Sequence, residues 1–94
     1  MALADDILER IRSEFSSGEM LPVIDLLTGL QKKDPRLFCD RILRCSLYVA
    51  GGEFDKLAAA VELARLDFRD LIVAAEYDGY FGSRQRDLSL PFVS

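Results

Sequence analysis

Residues 32–38 read KKDPRLF, and this short run decides how the chain is divided. Lys32 and Lys33 suit the negative end of one helix, Asp34 an N-cap, and Pro35 the first position of the next. A second helix therefore ends near Lys33, and a third is expected to begin at Pro35. Beyond it, Phe38, Ile42, Cys45 and Val49 recur at helical spacing, and Leu37, Leu43 and Leu47 widen the stripe. A stripe this broad predicts the most buried helix of the fold, packed on two sides. Arg36, Asp40 and Arg44 fall on the remaining arc, where alternating charges four residues apart predict a solvated face with weak ion pairs. Gly51-Gly52 closes the helix.

Toward the N-terminus, Leu3, Ile7, Ile11 and Phe15 lie four residues apart, with Asp5, Asp6 and Glu9 near the positive end of a first amphipathic helix. Ser16, Ser17 and Gly18 stop it. Leu21 precedes a proline and avoids the α region, so the second helix is expected to start at Pro22 and to bury Val23, Ile24, Leu27 and Leu30. Gly29 weakens that helix by about 1 kcal/mol relative to alanine.

Toward the C-terminus, Phe54, Leu57, Ala58, Val61 and Ala64 open a fourth helix, with Ala58, Ala59 and Ala60 small enough for close backbone approach. LDFRDLIVAAEYDG (66–79) reads as a fifth, capped by Asp67, with Phe68, Leu71, Ile72 and Ala75 inward. No glycine or proline separates the two, so one bent helix fits equally well. The expected fold is all-α: a compact antiparallel bundle of four to five short helices over residues 1–81, followed by an extended C-terminal tail, 82–94.

Half of the 94 residues are apolar and 30% are charged, an ordinary globular balance. A net charge of −4 argues against direct binding of nucleic acid. The succession FDKLAAAVELARLDFRDLI (54–72) could be taken for a helix-turn-helix, but its second helix opens with Asp67 and Asp70, which would face phosphates. No apolar run approaches the length of a membrane span, and the early acids of residues 1–15 do not fit a signal peptide. The expected location is the cytoplasm, with Cys39 and Cys45 as buried free thiols. Six residues apart on one helix, they are rotated by about 240° and cannot bridge each other.

The chain has no histidine, which removes the commonest general base and metal ligand. Two cysteines at this spacing make no zinc site, and Gly51-Gly52 lacks the rest of a phosphate loop, so no cofactor and no metal are expected. An enzyme would have to rely on carboxylates and tyrosines, such as Asp67, Asp70, Glu76 and Tyr77. Each of these acids has a structural role open to it, and the expectation is that the protein is not an enzyme.

Two apolar groups remain as candidates for contact with other proteins. EYDGYFG (76–82) gathers Tyr77, Tyr80 and Phe81, which either meet a partner or fold over the open end of the bundle. In DLSLPF (87–92), Leu88, Leu90 and Phe92 alternate beside the stiffening Pro91. The tail Asp87–Phe92 resembles the short peptide by which many bacterial proteins dock on the replication sliding clamp, in its form Gln-Leu-x-Leu-x-Phe. Asp87 stands where that motif prefers glutamine, whose amide supplies donors that an aspartate lacks. The resemblance implies a clamp-docking, replication-associated bacterial protein. The residues themselves also allow packing on the chain's own core or on a twin chain's. The functional expectation is a small, acidic, non-enzymatic module that binds protein, its own copy included as a homodimer.

Overall fold

The computed structural model describes residues 3–77 and 82–92; Tyr80 and Phe81 lie outside them. Four helices follow one another: α1 (Asp5–Glu14), α2 (Ser17–Lys33), α3 (Asp40–Ala50) and α4 (Phe54–Glu76). The fold is an all-α bundle. The fourth and fifth expected helices are one continuous element, bent at Asp67, whose φ of −159° and ψ of 98° leave the helical region. The Asp67 carboxylate accepts the Arg69 amide at 3.0 Å, so Asp67 restarts the helix after the bend.

Two helix starts differ from expectation, each for a local reason. α2 begins at Ser17, not at Pro22, which sits in its second turn. The first turn closes on the Ser16 carbonyl, which accepts the Glu19 and Met20 amides at 2.9 and 3.0 Å, while the Ser16 hydroxyl donates to the Glu19 carboxylate at 3.1 Å. Pro22 and Gly18 are both exposed, so the carbonyl that lacks the proline's N–H is left to water. α3 begins at Asp40, not at Pro35. The Asp34 carboxylate accepts the Leu37 amide at 3.3 Å, but it organises a single turn, and Cys39 is extended. Gln31 holds that turn in place: its amide donates to the Phe38 carbonyl at 3.1 Å and to the Asp40 carboxylate at 3.0 Å.

α3 is the most buried helix, as its broad stripe predicts. Residues 42–47 are all buried, and α3 packs on both α4 and α1. Ile7 and Ile11 of α1, Val23 and Leu27 of α2, Leu43 and Leu47 of α3, and Leu57 and Leu71 of α4 are wholly inaccessible. Gly51 ends α3 in the left-handed conformation, its amide bonded to the Leu47 carbonyl at 3.2 Å. Gly52 has φ +86°, and a Cβ there would come within 2.6 Å of the Glu14 carbonyl oxygen, so the turn can pass against α1 only as glycine. Of the expected alanine stripe only Ala60 is buried; Ala58 and Ala59 face water. Phe68, expected inward, remains 44% exposed. Among the described residues no helix is long and apolar enough to cross a membrane.

Candidate functional site

Arg41 and Arg44 lie one turn apart on α3, and each meets a carboxylate from another helix. The Arg41 fork grips Glu76 at the end of α4, Nε to Oε2 at 2.8 Å and Nη2 to Oε1 at 2.9 Å. The Arg44 fork grips Asp6 at the start of α1, Nε to Oδ2 at 2.8 Å and Nη2 to Oδ1 at 3.1 Å. Paired, planar contacts of this kind are the stronger class of ion pair and fix direction as well as distance.

Residues 84–92 are laced over these two pairs as a strap. At one end, Arg84 pairs with Tyr77 in an isolated antiparallel bridge and donates to the Glu76 carboxylate from Nη2 at 2.8 Å. The Glu76 carbonyl accepts the Gln85 amide at 2.7 Å, and the Arg86 guanidinium reaches the Ala75 carbonyl. In the middle, Arg44 Nη1 donates to the carbonyls of Leu88 and Ser89, at 3.3 and 3.4 Å. At the other end, the Phe92 amide donates to Asp6 Oδ2 at 3.1 Å. Asp87 closes a turn of the strap, accepting from the Ser89 amide at 3.0 Å and pairing with Arg84 at 2.7 Å.

These contacts set the charge states. Hydrogen bonding from Arg44 holds the Asp6 carboxyl below its ordinary value; burial opposes this, and the Phe92 amide adds to it. Burial pushes the Glu76 carboxyl up, but hydrogen bonds from Arg41 and Arg84, with their charge, outweigh it, and its pKa lies below the ordinary value. Glu76 is therefore an anion although it is completely inaccessible. Cys45, with its sulfur 3.8 Å from Glu76 Oε2, is pushed up to about 12 by burial and by that carboxylate, and stays a thiol.

The strap's apolar residues have different fates. Leu88 is buried in the core and 5% exposed. Phe92 is half-buried, its ring 4.5 Å from the Arg10 guanidinium. Arg86 covers the Tyr48 ring at 4.2 Å. Leu90 stands between them with 59% of its surface in water. Arg10, Tyr48, Arg86, Asp87, Leu88, Leu90, Pro91 and Phe92 line a cleft of about 370 Å³.

Comparison with family models, curated proteins and solved structures finds no match.

Leu88, Leu90 and Phe92 all lie on the strap, but Leu88 is buried, Phe92 half-buried and Leu90 exposed. Tyr77 is half-buried at the strap's beginning, while Tyr80 and Phe81 lie outside the described residues. Asp67 is exposed and bonded to its own helix, whereas Glu76, at the far end of that helix, is buried in ion pairs. These two carboxylates do not share an open site. No cluster of three or more metal-ligating side chains occurs among the described residues.

Of the expected solvated ladder, Arg36 and Asp40 are exposed, but Arg44 is not. Arg44 is 6% exposed and is the centre of the strap's anchorage. The width of the apolar stripe was the available signal: a helix with residues 42–47 buried has no solvated face left for residue 44. Cys39 is likewise exposed, not buried.

Proposed function

We propose that this protein is a non-enzymatic protein-interaction module that offers its anchored C-terminal strap to a protein partner, with Leu90 as the outward contact. The observation that carries this is the position of Leu90, exposed between a buried Leu88 and a half-buried Phe92 in the lining of the strap cleft. An apolar side chain held in water on an ordered segment binds without the cost of ordering that segment. Arg10 and Tyr48, which line the same cleft, are residue types enriched among those that dominate contact energies. The free thiols Cys39 and Cys45 fit a reducing cytoplasm.

The test compares full-length chains carrying Leu90→Ala and Leu88→Ala for stability and for capture of a cross-linked partner. The expected result is that Leu90→Ala keeps the melting temperature and loses capture, whereas Leu88→Ala lowers both. Capture that survives Leu90→Ala unchanged contradicts the function.

The order Leu88-x-Leu90-x-Phe92 also keeps the sliding-clamp reading as an alternative. Clamp docking would have to lift Leu88 out of the core and release the two carbonyls that Arg44 holds. On that alternative, a free peptide of residues 84–94 binds a purified bacterial clamp more tightly than the intact chain does. Equal absence of binding by both removes it.

A further inference from the structure

The bend of α4 builds a second apolar face, separate from the strap. Leu66, just before the bend, is 84% exposed, and Phe68, just after it, is 44% exposed. Phe68 and Ile72 form one wall of a cleft of about 460 Å³, the 34–39 turn with Asp34, Arg36 and Leu37 forms the other, and Ile42 lies between. Arg41 also borders it but is engaged with Glu76, and the Asp34 carboxylate accepts the Leu37 amide. A knob of two apolar side chains thus stands directly beside an apolar hollow. The charges are arranged in the same way. Arg36 is exposed on the turn wall and has no ionic or hydrogen-bonding partner among the described residues. Asp67 is exposed at the knob, where its carboxylate accepts only a backbone amide of its own helix.

We propose that this face joins two copies of the chain about a twofold axis, the Leu66–Phe68 knob of each entering the other's cleft and Arg36 of each facing the other's Asp67. A twofold contact requires a surface that is complementary to itself, so that each residue pair occurs twice. This face meets the requirement in both shape and charge, since knob and hollow, cation and anion, lie side by side on one chain. The dimer is a weak one. A standard interface takes about 800 Å² from each partner, and a contact centred on one cleft and two apolar side chains covers less. The contact uses a different face from the strap and goes beyond the function proposed above.

Sedimentation equilibrium of the full chain between about 1 µM and 1 mM, the range of weak association, tests it. The expected mass rises from one chain to two. Leu66→Glu, at a position that touches little of its own chain, keeps the circular dichroism spectrum and weakens association roughly tenfold or more, as loss of a central apolar contact does. Arg36→Glu and Asp67→Lys each weaken self-association, and mixing the two variants restores it, because the exchanged charges then face each other in both pairs. That recovery cannot come from an unfolded variant. Leu90→Ala leaves the association unchanged, which separates this dimer from the strap's function. A monomer at all concentrations, a dimer indifferent to Leu66→Glu, or a mixture that stays apart overturns the proposal.

Discussion

Arg44 and Asp6, 38 residues apart in sequence, meet through two parallel contacts of 2.8 and 3.1 Å, and the strap is tied to both of them. Arg44 spends its remaining donor on the carbonyls of Leu88 and Ser89, and Asp6 accepts the Phe92 amide. One ion pair therefore joins the first helix, the central helix and the C-terminal segment. Glu76 does the same at the other end, joining Arg41 of α3 to Arg84 of the strap. Buried pairs of this kind add little net energy, but removing one partner is expensive because the other charge is stranded.

Acid should loosen the molecule through these two carboxylates. Asp6 and Glu76 both have folded-state pKa values below their ordinary 3.8 and 4.5. A carboxyl depressed by folding contributes stability that is complete above its unfolded value and is lost as pH falls through its folded value. Urea unfolding should thus give a plateau from pH 7 to about 5 and a falling stability below it. Asp6→Asn should reduce the steepness of that fall. An unchanged pH profile in Asp6→Asn would show that the Arg44 pair does not form.

Two glycines should respond to alanine with opposite signs. Gly29 lies inside α2, and a Cβ there meets nothing within 4 Å. Gly29→Ala should stabilise the chain by about 0.5–1 kcal/mol through helix propensity and the unfolded chain's entropy. Gly52→Ala must accommodate both a φ of +86° and a backbone oxygen at 2.6 Å. It should destabilise by more than about 1 kcal/mol. Chemical denaturation of the two variants side by side checks both signs.

The thiols should divide into one reactive and one inert group. Cys39 is exposed, whereas Cys45 is buried and its pKa is pushed up to about 12. The thiolate is the reactive form, so an aromatic disulfide reagent near pH 8 should titrate a single thiol in the native chain and the second only on unfolding. Equal rates for both would contradict the burial of Cys45.

The helical bundle was legible because its signals are local and redundant. Four-residue spacing in α1, the broad stripe of α3 and the Gly51-Gly52 stop each stood clear in a few residues. The helix starts differ from those the prolines predict because other contacts decide them: the Ser16 carbonyl closes the first turn of α2 ahead of Pro22, and the Gln31 bridge limits Asp34–Phe38 to one turn. The bend at Asp67 could be foreseen as a cap or a kink, and both descriptions apply. The strap's anchorage was not legible. Arg44 with Asp6, and Glu76 with Arg41, are 38 and 35 residues apart, and no local pattern marks a charged residue that finds its partner only after the helices pack. Alternation in the tail showed that Leu88, Leu90 and Phe92 were spaced to bury something, but not which of them would turn inward.

The most direct measurement is thermal unfolding of Leu88→Ala and Leu90→Ala beside the parent chain. Leu88, 5% exposed, is built into the core, so its truncation should cost about 2–5 kcal/mol. For a domain of this size that lowers the melting temperature by roughly 10 °C or more. Leu90, 59% exposed, should change stability by no more than about 0.5 kcal/mol on truncation. A Leu88→Ala chain that melts with the parent would mean that the strap is not folded onto the body, and the account of its anchorage would be wrong.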